Sequence, residues 1–391
     1  MVLRLGEPVI WHWLLGLGFT ILFLSCMPSV RDGIYWYSSA IKYQGANILL
    51  AGMLVLFMRL LESSDQIVAR RRKDFVLVGL CIIAGVGSSE TVMILFYVVT
   101  SLMCMWRISA EHRNSRTVPI WLGLLFLVNL CIAAFVFAPG NTVRSALESS
   151  SPLSLTRPLD VFMTNYYSGF WLSPSLEILL HLPQLWWASL IAVALILRSK
   201  HVGNKLPRVH GAYVLFGVMF TLLTPIILQV PSLLFLDLNW APERVENSIL
   251  FATLLCWFAT LSLLIHWILC KSLSAKAKLS DGMSVLRVGL RTIYLIALVG
   301  FGVGVASAAN LQLAFADLIN VAPDYDAHMR ARLVRFEAAR DTGALVSLWV
   351  YSDLPETITW LDVVTPDGNL NFSDCLGWYF GVIPVVEGFD K

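Results

Sequence analysis

The feature that most constrains the fold is a series of eight long apolar runs separated by short polar segments. About 20 residues of helix are needed to cross a hydrocarbon core of ~30 Å, and runs of this length exceed the strands of a membrane barrel. The chain is 57% hydrophobic and only 14% charged, whereas soluble domains carry about 25% charge. We therefore predict an all-α polytopic membrane protein. The runs cover residues 9–28, 45–61, 75–106, 118–137, 184–197, 211–230, 247–270 and 288–308.

The run 75–106 is predicted to be a helical hairpin. As one helix it would be about 48 Å long, too long for an upright span. Gly85, Gly87 and the polar residues 88–90 interrupt it and provide a turn. Each arm would then have roughly 13 to 16 residues, or ~20–24 Å. The tip, which carries Glu90, should therefore stop inside the outer half of the bilayer. This brings the prediction to nine membrane segments.

The distribution of basic residues predicts the orientation. Lys and Arg near the ends of short loops mark the cytoplasmic side, and most of the 28 basic residues cluster between alternate runs. The N-terminus is therefore predicted to be cytoplasmic. The opposite loops are basic only at a few positions, which are Arg31, Lys42, Arg144, Arg157 and Arg244.

Two domains are predicted: a transmembrane helical domain, 1–308, and a small mixed extracytoplasmic segment, 309–391. In the second domain, residues 324–340 combine basic and apolar residues in the pattern of an amphipathic helix. This helix is predicted to begin after Pro323 and to end near Gly343. Residues 345–351 and 358–364 have a strand-like pattern.

Polar groups that could carry chemistry concentrate in the outer loops. A carboxylate at membrane depth costs about 2.5–3.5 kcal/mol and normally faces a cavity or a partner, so Glu90 is either an acid/base group or a hydrogen-bonding residue that closes the turn. Asn141 and Arg144 follow a helix-breaking Pro-Gly pair. Arg144 could grip a phosphate, or could be an interfacial side chain beside a turn.

The first outer loop combines Tyr35, Trp36 and Tyr43 with the acidic Asp32. These aromatic rings are either platforms for a sugar or an interfacial belt. Before the run 247–270, Glu243 and Arg244 place a second outer cation beside acids, as a binding group or as a surface ion pair.

Metal and nucleic-acid binding receive little support from the sequence. The histidines are scattered, the seven cysteines form no C-x-x-C pair, and the net charge is only +2. No metal site and no certain cofactor are predicted. Oxygen ligands for a divalent cation could come from the outer acids, but their spacing does not require it. These acids are Asp32, Glu90, Glu243 and Glu246.

Three segments in this order resemble a bacterial group of multispan proteins related to GT-C-type, glucosyltransferase-like membrane proteins. They are 33–43 (GIYWYSSAIKY), 88–90 (SSE) and 138–144 (APGNTVR), and the likeness extends to 371–381. The 138–144 element is the most specific. Glu90, Asn141 and Arg144 match polar positions of that group. The resemblance implies a GT-C-like bundle in a bacterial inner membrane that uses a polyprenyl-phosphate-linked sugar at the outer face, with no nucleotide sugar.

The sequence departs from the GT-C pattern in one respect. GT-C enzymes usually carry an acidic residue or an Asp-Asp pair in the first outer loop, and here Asp32 is the loop's one acid. Either Asp32 takes that role, or the chain lacks an amino-terminal catalytic part. Three hypotheses follow: a hexosyltransferase acting on a glycan or lipid acceptor, a transporter, flippase or polymerase of lipid-linked glycans, and a catalytically incomplete scaffold.

Overall fold

The computed structural model is mostly helical and bears out the apolar runs as helices. It describes residues 9–30, 40–61, 72–110, 118–138, 182–198, 211–235, 243–275, 282–348, 379–380 and 383–386. Each of the nine predicted segments coincides with a helix within these ranges. They are α1 (Val9–Cys26), α2 (Ala46–Leu61), α3 (Arg72–Val86), α4 (Glu90–Ala110), α5 (Val118–Val136), α6 (Pro183–Arg198), α7 (Gly211–Phe235), α8 (Glu243–Ala275) and α9 (Gly282–Ala306).

Several of these helices are suited to a membrane, which supports a multi-pass membrane protein. Five are long and apolar enough to cross one: Ile41–Leu60, Glu90–Ser109, Val118–Val136, Gly211–Gln229 and Arg244–Leu269. A sixth is counted if Thr292–Ala306 and Ala309–Ala338 form one broken span. α1 and α6 hold shorter apolar stretches. That all nine helices are membrane segments therefore stays a prediction.

The two packed helices and the turn predicted for 75–106 are present, whereas the depth of the turn in the bilayer stays a prediction. α3 and α4 pack against each other on either side of a turn at Gly87–Ser88. The Ser88 hydroxyl donates to the Gly85 carbonyl at 2.6 Å. The Ser89 hydroxyl accepts the Val92 N–H at 3.3 Å, which caps the start of α4. The second arm is longer than predicted, with 21 residues, because the helix continues through Arg107 beyond the apolar run.

The core of the first unit lies between α2, α3, α4 and α5, with α7 and α8 against it. Trp121 on α5 is its largest buried side chain; its ring stacks on Phe57 with 6.2 Å between centroids and meets Phe75 edge-on at 5.2 Å. Gly85 lets α3 approach α4 closely, since a Cβ there would lie 2.2 Å from the Phe96 ring. Tight contacts of this kind, rather than surface charge, hold the hairpin in place.

The chain divides into two compact units, one of residues 1–28 and 37–305 and one of 29–36 and 306–391. In the second unit, α10 (Ala309–Ala316) continues through a π-helical turn (Asp317–Val321) into α11 (Ala322–Ala338), so the helix predicted for 324–340 is present. Pro323 lies in its first turn, and Gly343 adopts the positive φ of 65° that ends this region.

A two-stranded parallel sheet follows α11. β1 (Leu345–Leu348) lies within the strand predicted for 345–351, and it pairs with β2 (Ile383–Val386) in the register Leu345 opposite Ile383. The strand predicted for 358–364 lies outside the described residues. Phe336 stacks on Phe380 at 5.4 Å, which fastens α11 to the segment before β2. The location of residues 309–391 outside the membrane stays a prediction.

Candidate functional site

Five of the nine predicted site residues lie outside the residues that the structure describes: Asp32, Tyr35, Trp36, Asn141 and Arg144. Their proposed roles therefore stay predictions. Glu243 is the first residue of α8, where only the backbone is described. The structure describes the side chains of the other three predicted site residues, Tyr43, Glu90 and Arg244.

These three residues lie at the starts of helices. Tyr43, in the π-helical turn Ala40–Gly45 that leads into α2, is only 6% exposed and belongs to the buried core. Glu90 is the first residue of α4 and is half-buried; the positive end of the helix dipole favours a carboxylate there. Arg244, the second residue of α8, is also half-buried.

The start of α8 is the most unusual part of this region. Glu246 is 4% exposed, and Asn247 and Ser248 are fully buried. Every residue from 245 to 254 is buried, so α8 is surrounded by protein on all sides here. Along its length, α8 packs against α7, α6, α4, α2 and the π-helical turn before α2. Three consecutive polar side chains in such a position require polar partners.

Glu246 has a partner from the next helix. The Gln229 amide, near the end of α7, donates to the Glu246 carboxylate at 2.8 Å, and Gln229 is itself 6% exposed. A hydrogen bond to a charged acceptor is among the stronger ones in a protein. It joins α7 and α8 at the end of the bundle that the basic residues assign to the outer face.

The start of α2 adds two amides to this region. Asn47 is 2% exposed, and its amide donates to the Gln44 side-chain oxygen at 3.1 Å. The second polar atom of each side chain, Asn47 Oδ1 and Gln44 Nε2, is buried with no hydrogen-bond partner among the described residues. The Ser248 hydroxyl is also buried with no hydrogen-bond partner among the described residues. Unpaired buried groups are costly, so each of these atoms favours a polar partner.

We call this set the outer polar cluster; its members are Gln44, Asn47, Gln229, Glu246, Asn247 and Ser248. The apolar residues beside them, Ala46, Leu228, Val245 and Ile249, belong to one continuous core that also holds Val92 of α4. Glu90 precedes Val92 by two residues. The Gln229–Glu246 bond joins α7 and α8 here, and α8 also contacts α4, α2 and the π-helical turn before α2.

Sequence reasoning missed most of this cluster. The sequence indicates Glu246 only as one of four acids that could supply oxygen ligands, and it assigns no role to the amides. A signal was available, because Asn47, Gln229 and Asn247 lie just inside apolar runs, where a polar side chain needs a partner.

No cluster of three or more His, Cys, Asp or Glu side chains that could hold a metal ion occurs among the described residues. Asp32, one of the proposed oxygen donors, lies outside them.

The fold and the cluster define a class: a polytopic helical membrane protein with a buried polar site at one end of its bundle. In comparison with known proteins, no family model, no curated protein and no solved structure matches the chain. The GT-C resemblance therefore remains an expectation.

Proposed function

We propose that this chain is a GT-C-like membrane glycosyltransferase that transfers a sugar from a polyprenyl-phosphate donor to a glycan or lipid acceptor at the outer face. The observation that carries the proposal is the outer polar cluster, a buried group of amides, a hydroxyl and a carboxylate within an otherwise apolar bundle. A substrate with a polar sugar and a long apolar tail has the same two-part chemistry. The proposal also includes nine membrane segments and a cytoplasmic N-terminus.

The donors and acceptors of the cluster suit sugar hydroxyls. The unpaired Asn47 oxygen, Gln44 nitrogen and Ser248 hydroxyl supply both hydrogen-bond donors and acceptors, as hydroxyl groups require. Tyr35 and Trp36 in the first outer loop would stack on the sugar ring, and Asn141 would add a further amide.

The reaction needs a base and a positive charge. A carboxylate, Asp32 or Glu90, would accept the proton of the acceptor hydroxyl as that oxygen attacks the anomeric carbon. Arg144 and Arg244 would stabilise the charge that develops on the departing lipid phosphate. The apolar bundle surface would accommodate the prenyl chain.

Sugar transfer in proteoliposomes tests this proposal. The protein would be reconstituted with a radiolabelled polyprenyl-phosphate hexose, and Asp32→Asn and Glu90→Gln would be compared with Glu337→Gln, an exposed control on α11. The variant that removes the base should lose roughly 10²- to 10⁴-fold in rate, and the control should lose nothing. Full activity in both the Asp32 and Glu90 variants would refute the mechanism.

A second candidate is a flippase of lipid-linked glycans. What favours it is a series of polar contacts between α7 and α8: Thr221 with Thr260 at 3.0 Å, Thr224 with Cys256 at 3.7 Å, and Gln229 with Glu246. Polar side chains along a helix pair can line a substrate path, although they also bind helices together. Movement of labelled lipid between leaflets without sugar transfer would favour this candidate over the first.

A further inference from the structure

The segment that follows α9 buries its one charged residue and exposes several large apolar side chains, although Gln312 and Asn320 are exposed too. Between Thr292 and Pro323 the sequence contains one charged residue, Asp317. In the structure Asp317 is buried, at 7% exposure, whereas Phe315, Leu318 and Ile319 are exposed at 56%, 63% and 69%. Single exposed apolar residues are ordinary on soluble proteins, but a helix that hides its one charge and presents large apolar side chains is suited to apolar surroundings.

The surroundings change abruptly after Pro323. On α11, Asp326 and Arg330 form an exposed ion pair at 2.8 Å, with side chains 59% and 77% exposed. An ion pair of this kind is typical of a surface that faces water. The change from an uncharged to a charged exterior therefore falls between Val321 and Asp324.

The preceding helix, α9, also exposes an apolar surface. On α9, Leu295, Val299 and Val303 are exposed at 60%, 67% and 64%, and their spacing of four residues forms one stripe along the helix. α10 begins only two residues after α9 ends, so its first turn cannot lie far from the membrane that this stripe faces.

We propose that residues 309–321 are embedded in one leaflet of the lipid bilayer, with Phe315, Leu318 and Ile319 among the acyl chains and the water boundary between Val321 and Asp324. The segment has 13 residues, ~20 Å as a helix, too short to cross the ~30 Å core alone. It acts as an anchor that holds the start of α11 at the membrane surface. This inference is independent of the glycosyltransferase proposal.

Cysteine labelling of the full chain in proteoliposomes tests it with a matched pair. Ile319→Cys and Val334→Cys replace side chains of nearly equal exposure, 69% and 67%, on α10–α11 at positions before and after the proposed boundary. A water-soluble maleimide reacts with the thiolate, which forms in water, so Ile319→Cys should react roughly tenfold more slowly. Asp326→Cys is a second water-facing control, and peptide mass spectrometry separates these sites from the native cysteines.

Photoactivatable phospholipid with a diazirine in its acyl chain tests the wild-type chain directly. Adducts should map to residues 309–321 and not to 324–338. Equal maleimide rates at positions 319 and 334 would overturn the proposal. So would an Ile319→Cys disulfide between copies without lipid adducts, because it would show that a second copy covers this surface.

Discussion

The Gln229 amide donates a hydrogen bond of 2.8 Å to the Glu246 carboxylate, and both side chains are buried. The two residues lie at the end of α7 and the start of α8, so the bond fixes how these helices meet beside the outer polar cluster. The bond therefore couples the geometry of the cluster to the packing of the bundle.

Gln229→Met should lower the stability of the protein, because it keeps the side-chain volume but removes the donor that faces a buried carboxylate. Loss of such a partner typically costs about 1–3 kcal/mol. Thermal unfolding in detergent measures the change. Glu337→Met is the control, since Glu337 is exposed on α11, and it should leave the midpoint nearly unchanged; an equal shift in both variants would contradict a role for the bond.

Gly85→Ala should destabilise the hairpin because the added Cβ would lie 2.2 Å from the Phe96 ring. Overpacking of this kind costs roughly 1–3 kcal/mol. Gly123→Ala is the control, since it lies in α5 with no atom within 4 Å of the added Cβ, and in a helix it should be neutral or slightly stabilising. The double variant Gly85→Ala/Phe96→Leu should lose less stability than the sum of the losses in the two single variants. Unfolding of all three variants would test this.

Trp121 should tolerate replacement by Phe far better than by Ala. The indole is fully enclosed, but its N–H has no hydrogen-bond partner among the described residues, so Phe removes a buried unpaired donor while keeping an aromatic ring against Phe57 and Phe75. Trp121→Ala should cost about 3–5 kcal/mol. Trp13→Phe, at a position 76% exposed, is the control. Equal losses for Phe and Ala at position 121 would mean that the N–H has a partner.

The helices could be predicted from the sequence because each depends on local information. An apolar run of sufficient length bounded by polar residues specifies a membrane-compatible helix without reference to any partner. The hairpin turn at Gly87–Ser88 could also be predicted from local sequence, because the apolar run is too long for one span and polar residues interrupt it. The one clear error of length, in α4, arose because helix formation continues past the apolar run through Arg107 and Ala110.

The outer polar cluster could not be predicted in the same way. Whether Glu246 faces water or the bundle depends on α7 and on the first turns of α2, which are distant in sequence. α8 also begins at Glu243, four residues before its apolar run, and neighbouring elements bury Val245 and Glu246. Similarly, β1 was expected from its pattern, but its partner β2 is 35 or more residues away along the chain, and pairing over such distances leaves no local signal.

The orientation of the bundle yields the last prediction. Basic residues cluster at Arg198, Lys200, Lys205 and Arg208 between α6 and α7, so this loop should be cytoplasmic, and the loop between α5 and α6 should be external. Alkaline phosphatase, which is active only outside the cytoplasm, should be active when fused after Asp160 and inactive after Gly203, and a fluorescent-protein fusion should give the opposite result. Because α7 ends and α8 begins on the face opposite the Gly203 loop, phosphatase activity after Gly203 would place the outer polar cluster in the cytoplasm. It would thereby exclude a substrate presented at the external surface.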